Sequence, residues 1–366
     1  METEQISEKS FFAASNSSHG FQNYYPSCFG EGSPVERLFI IKGGPGTGKS
    51  YFMRSVGRAA AAHGYDVTHY YCSSDPSSLD GVICCKEGHP CIGVIDGTAP
   101  HVCEPQLPGV REEIINLGAF WDSRQLIEQA DTVKTLCEQK SECYATAYHL
   151  LAASGEADAV IDVWVRPCVQ QKKIERLAER ILKDQPMGKS YHPIPALLDA
   201  VGMTGVVHFD TYGQMSDAHP NGQRVYVEDY HGVGYRVMEA ILHEAEQKKL
   251  DLLVAPHPVH THKVTAIYLP SCGLSVMVKD AGEVTDVAGA RLLTLRRYVD
   301  GDAMRAVRRD LRQTEIIRDS LLEGAVAQLK KAAVHHFALE KIYSAAMDFS
   351  AKGAFEQEFC RKLFAE

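Results

Sequence analysis

The chain has 366 residues, 45% of them hydrophobic, which is enough for roughly two to three domains with cores of their own and excludes disorder as the main state. Lys and Arg number 38 against 47 Asp and Glu, so the formal net charge is −9, and the dense positive field of a nucleic-acid or anionic-membrane binder is missing. The opening METEQISEK is polar with no apolar core, and no run approaches the ~18 apolar residues of a bilayer span; the expectation is a cytoplasmic protein with no membrane partner.

Leu38 to Ile41 is a short apolar run of the kind that makes a buried strand, and glycines follow it at once. From Ser50 to Ala62 the chain lacks Pro and is rich in Ala, Met and Arg, which predicts a helix with Gly64 as its stop. Between strand and helix, Gly43, Gly44, Pro45, Gly46, Thr47, Gly48, Lys49 and Ser50 match the phosphate-binding pattern G-x-x-x-x-G-K-[ST]. Glycines let successive N–H groups curl around a phosphate, and the helix N-terminus adds a positive dipole end. Lys49 would reach the β- and γ-phosphates of ATP, and the Ser50 hydroxyl would ligate Mg2+.

Asp66 to Cys72 predicts a second strand, followed by the polar loop SSDPSSLDG, in which Asp75 and Asp80 are candidates to face the γ-phosphate or an acceptor; Asp80 is the stronger catalytic candidate, a solvated Asx turn the plain alternative. Cys91 to Asp96 predicts the partner strand, with Asp96 at its carboxyl end as the acidic metal residue. The next residue is Gly97, not the Glu that many ATPases carry there as the water-activating base, so that group must come from elsewhere. Thr98 and His101 are possible sensors of the γ-phosphate or plain structural residues. Cys72, Cys84, Cys85, Cys91 and Cys103 crowd this region without a C-x-x-C pair, and are expected to be reduced thiols filling strands.

The segments KGGPGTGKS, SSDPSSLDGV and VIDGTAPHVCEPQLPGVREEIINLGAFWD resemble an uncharacterised bacterial family of two-lobed P-loop proteins described as ATPases, most densely over residues 11 to 122. The resemblance implies an ATP-binding P-loop NTPase fold present twice in tandem, each lobe with a helical insertion, and no assigned substrate.

Internal repetition is visible in the chain itself. Gly20 with Phe21 and Tyr24 parallels Gly205 with Val206 and Phe209, and Asp66-Val67 parallels Asp251-Leu252, at an offset of 185 residues. Where the first lobe has GGPGTGKS the second has DYHGVGYRVM, with no Lys, Ser or Thr from Asp229 to Gln247, so the second lobe should not hold nucleotide. Gly188-Lys189-Ser190 lacks the upstream strand and glycine. Residues 110–184 and 285–366 are expected to be long and helical, with Ile114, Ile115, Ile174, Leu177 and Ile181 on packing faces; Arg111, Arg124, Arg166, Arg176 and Arg180 are undistinguished arginine-finger candidates. His257, His260 and His262 form an H-x-x-H-x-H string that could hold zinc but is more simply a loop at the sheet edge.

The combined expectation is an α/β protein of two P-loop-type lobes. Residues 1–186 carry an intact Mg-ATP site with Lys49, Asp96 and Asp80 as catalytic residues and Ser50 and Asp96 as metal ligands; residues 187–366 form a degenerate lobe. Three activities follow from it: ATP hydrolysis, phosphoryl transfer to a small-molecule acceptor, or nucleotide-responsive binding of a protein partner.

Overall fold

The computed structural model describes residues 9–280 and 289–364. The first half comprises β1 (Lys9–Phe12), β2 (Ala14–Ser17), β3 (Gly20–Asn23), α1 (Tyr25–Phe29), β4 (Arg37–Lys42), α2 (Lys49–Ala62), β5 (Asp66–Tyr71), β6 (Leu79–Cys85), β7 (Ile92–Asp96) and β8 (Glu112–Asn116), then helices α3 (Ser123–Glu128), α4 (Ala130–Val165) and α5 (Gln171–Ile181). The second half repeats the plan with β9 (His192–Pro195), β10 (Asp199–Gly202), β11 (Gly205–His208), α6 (Thr211–Ala218), β12 (Gln223–Glu228), α7 (Val233–Gln247), β13 (Asp251–Pro256), β14 (Val264–Leu269), β15 (Leu274–Lys279), β16 (Arg291–Thr294), α8 (Gly301–Ala345) and α9 (Phe349–Phe364).

Each half builds a six-stranded mixed sheet, in the orders β1-β5-β6-β7-β4-β8 and β9-β13-β14-β15-β12-β16. The two orders correspond strand for strand, and in each the third strand alone runs antiparallel to the rest. Even the register shift recurs, at Tyr70/Tyr71 and at Ala255/Pro256. The repeat read from the glycines is therefore a repeat of architecture: Gly20 and Gly205 both turn their hairpins with positive φ, 88° and 105°.

Alternation along the strands assigns two faces to each sheet. Ile40, Ile83 and Ile95 of the first sheet meet Tyr226, Ala266 and Met277 of the second in a core shared by the halves. On the outer face, Phe39, Ile41, Val82 and Val94 pack under Phe52, Met53, Val56 and Ala60 of α2. β6 and β8 depart from the sequence expectation. Asp80 opens a buried strand and does not lie in the polar loop, while Ile114 and Ile115 sit on an edge strand and not on a helix; two-residue periodicity in segments this short is masked by their flanks. Arg291–Thr294 is likewise a strand, and the rest of the stretch from residue 285 to 288 lies outside the described residues. Cys85 and Cys91, at the ends of the β6–β7 connection, form a disulfide, which corrects the expectation of reduced thiols throughout; the other nine cysteines are free.

The helices cross between halves. On α4 the buried positions are Ala147, Leu151, Ser154, Asp158, Ile161 and Val165, a 4-3-4-3 spacing; on α8 Met304, Leu311, Ala325, Ala332 and Leu339 fall in one seven-residue register. The two helices run antiparallel: Leu150 lies against Gly324, Ser154 Oγ donates to the Arg318 carbonyl, and Val169 bridges Val299. This pairing delivers α5 to the second sheet's outer face, where Ile174, Leu177 and Ala178 join the core around α7. It delivers α9 to the first sheet's outer face, where Phe359 packs on Phe39 and Phe52 at 5.0 and 5.2 Å between ring centroids. A division at residue 186 falls between α5 and β9, but each half's terminal helix completes the other half's core.

Replacing Phe359 by Ala should therefore cost about 2–3 kcal/mol of stability in urea unfolding. Hydrogen exchange should rise in β4 and α2, near the other end of the chain; exchange rising only in the second sheet would contradict the crossed packing.

Candidate functional site

The glycine loop joins β4 to α2 at the carboxyl edge of the first sheet. Leu38 to Ile41 is buried on both faces, as befits a central strand, and Gly48 caps α2 in the left-handed region at φ 80°. Gly46 also has positive φ, 70°, and a Cβ there would come within 2.4 Å of the Glu340 carbonyl oxygen on α8, so only glycine serves. Thr47 Oγ1 donates to the Gly44 carbonyl at 2.9 Å and holds the loop's curl.

β7 lies directly beside β4, a neighbour relation the sequence leaves open, and it brings Asp96 to the loop. Lys49 Nζ stands 3.5 Å from Asp96 Oδ2 and donates to the Gly44 carbonyl at 2.8 Å. The Ser50 hydroxyl accepts from the Leu79 backbone N–H at 2.8 Å, tying α2 to the start of β6 one residue before Asp80. Thr98 donates from both N and Oγ1 to Asp96 Oδ1, at 2.9 and 2.6 Å; it orients the carboxylate.

Asp80 and His101 are both buried, and His101 Nε2 is 3.3 Å from Asp80 Oδ2. The imidazole stacks on Tyr25 at 4.8 Å. Burial disfavours its charged form, but the Asp80 hydrogen bond and the charges of Asp80 and Asp96 outweigh this and raise its pKa. Asp80, Asp96 and His101 present ligand atoms within 4.8 Å of one another, and among the described residues they are the one group of three or more such side chains that could hold a metal ion. His101 Nδ1 is buried without a hydrogen-bond partner. The structure thus gathers Lys49, Ser50, Asp80, Asp96, Thr98 and His101 at one place. Asp75 is not among them: it caps its own turn, accepting from Ser77 N and Oγ.

Of the arginine candidates, Arg166 pairs with Asp162 on α4. Arg111 is committed to Glu112 and to the carbonyls of Phe29, Gly30 and Val35, and Arg176 and Arg180 are exposed on the helix that covers the second sheet. The crossed helices supply groups the sequence does not announce. Tyr343 lies against Gly44, Ser344 Oγ donates to the Gly46 carbonyl at 2.9 Å, and Phe349 and Lys352 flank Gly48. Their only sequence signal is the repeat itself, which makes a helical extension follow each sheet.

The corresponding loop of the second half is already filled. Asp229 stands 185 residues after Gly44, and its carboxylate accepts from the N–H groups of Gly232 and Gly234, both at 2.7 Å. Backbone N–H groups at a helix N-terminus are ready anion donors, and here the chain's own carboxylate takes them. His257, His260 and His262 do not form a metal cluster among the described residues. His257 Nδ1 accepts from the backbone N–H groups of Val259 and His260, and the cations Lys263 and Arg318 converge on Asp158, the charged member of the α4 stripe. Burial, with Lys263, Arg318 and His262 against the opposing charge of Asp158, pushes the pKa of His260 down to about 4.

No protein family, curated protein or solved structure matches this chain.

Two measurements test these assignments. Asp229→Ala should destabilise the fold by about 1–2 kcal/mol by uncapping α7, read from urea midpoints. Because His260 is held neutral below its ordinary pKa, its contribution is complete above pH 6.5 and is lost as pH falls from 6.5 towards 4, on the order of 3 kcal/mol. The stability of the protein relative to His260→Asn should shrink over that window; a gap that widens on acidification would refute the neutral assignment.

Proposed function

We propose that the loop from Gly43 to Ser50 is a P-loop that binds Mg-ATP, one per chain, and that the site hydrolyses it. The observation that carries this reading is the convergence, at the end of one central strand, of a glycine loop opening a helix with Lys49 and Asp96 3.5 Å apart. The chain's P-loop NTPase character belongs to the same proposal. The donor set fits magnesium, since the Ser50 hydroxyl and the Asp96 carboxylate are hard oxygens beside the loop.

Lys49 pairs with Asp96 and donates to the loop carbonyls of Gly43 and Gly44; with a triphosphate in the loop it would turn to the β- and γ-phosphates, and Asp96 and Ser50 would hold the ion. Magnesium, when bound, offsets the negative charge of the phosphoryl oxygens. The loop N–H groups and the α2 dipole hold the phosphates in line. Asp80 is the base: it is buried, Gly97 leaves the usual position of a base empty of a side chain, and His101 orients its carboxylate from 3.3 Å. Tyr25 stacking and Thr98 keep this group rigid.

The same arrangement supports a second reading, transfer of the γ-phosphoryl group to a small-molecule hydroxyl. Asp80 would then take the proton of the acceptor. The third activity, recruitment of a protein partner, finds support in the contacts of α8 with the loop, through which a bound nucleotide would act on the long helices.

Isothermal titration should give one Mg-ATP per chain, abolished by Lys49→Ala and retained in Asp229→Ala. Asp96→Asn and Asp80→Asn should each lower ADP release about 100-fold or more. ADP release that requires an added hydroxyl acceptor would select transfer over hydrolysis, and two ATP per chain would overturn the single-site reading.

A further inference from the structure

Lys49, Asp96 and Asp80 mark the γ-phosphate end of the loop. On its other side, a groove runs from Gly48 along the outer face of α2, past Tyr51, Ser55 and Ala59. Its second wall is α9, with Phe349, Lys352, Gln357 and Cys360. Two aromatic rings at its mouth stay open to solvent, Tyr51 at 59% and Phe349 at 47% exposure. Between them Lys352 is buried, held by Glu356 and standing 5.3 Å from the Tyr51 ring. Lys352 Nζ and the Phe349 ring both lie within 4 Å of where a Gly48 Cβ would be.

We propose that this groove takes the nucleoside end of the bound nucleotide, with an adenine base against Tyr51 and Phe349 and Lys352 beside the α-phosphate. The inference rests on the P-loop reading and adds to it the part of the ligand that the loop does not touch. A triphosphate cradled with its γ end at Lys49 and Asp96 presents its α-phosphate at the start of α2, where Gly48 and Tyr51 sit. From there the groove continues along α2. Its chemistry suits the occupant. Exposed aromatic faces stack bases, Lys352, which the α-phosphate shares with Glu356 of the groove lining, meets that phosphate, and the exposed Gln357 amide offers the paired acceptor and donor that match an adenine edge. Because α9 belongs to the other half of the chain, the nucleotide would bridge the two halves, phosphates on the first and base on the second.

Titration with ATP and with inorganic tripolyphosphate, each with magnesium, separates the two levels of the argument, since tripolyphosphate probes the loop alone. The protein should bind ATP at least tenfold more tightly than tripolyphosphate, and both should be lost in Lys49→Ala. Phe349→Ala should reduce the preference for ATP to within about threefold with the tripolyphosphate affinity unchanged, and Tyr51→Leu, which keeps the helix and an apolar surface, should move it the same way. Equal affinity of the two ligands for the unaltered protein, or a preference unchanged in both variants, would overturn the groove assignment and leave the P-loop standing. Failure of tripolyphosphate and ATP alike to bind would overturn both.

Discussion

The antiparallel pairing of α4 with α8 is the constraint on which the rest of the molecule depends. Both helices carry a seven-residue stripe, and such stripes pack continuously only in one of a few registers. Apolar residues fill most of the seam, with Leu151 and Leu329 fully buried. Asp158 is the charged exception, lying on the stripe of α4 with Arg318 of α8 at 3.6 Å and Lys263 of the β13–β14 connection at 2.5 Å. A buried carboxylate is tolerable only where its partners converge, so any slip of one helix along the other would strand it. The charge cluster thus acts as a register key.

With that register set, the positions of α5 and α9 follow from chain length. Each long helix ends over the sheet of the opposite half, and the short helix after it closes that sheet's outer face. Helical extensions that folded back on their own sheets would leave the halves joined through the sheets and their hairpins alone; crossing adds further cores made from both halves. It also brings Tyr343, Ser344, Phe349 and Lys352 to the glycine loop, so that a site begun by residues 43–50 is finished by residues more than 290 positions away.

The halves share an architecture and differ in one electrostatic choice. In the first, Lys49 borders the loop, paired with Asp96 and with the Gly44 carbonyl. In the second, Asp229 supplies the anion from within and His231 is tied to Glu315 on α8 at 2.7 Å. A carboxylate held by two backbone donors needs no exogenous partner. The same architecture therefore places a lysine at one loop and a carboxylate at the other.

Much of the candidate site was legible in the amino-acid sequence because it is local. Glycines at positions of positive φ, an apolar run before them and a helix-forming run after them depend on neighbours a few residues apart, and so do the repeat and the loss of Lys and Ser from the second loop. The place of Asp80 on a strand, its meeting with His101, and the adjacency of β7 to β4 depend on sheet order, which alternation alone does not encode. The crossing of the helices was the least legible feature. The apolar face of α9 does not by itself name the sheet it covers, and the register of α4 on α8, held by a buried ion cluster and by the length of two long helices, carries it to the first.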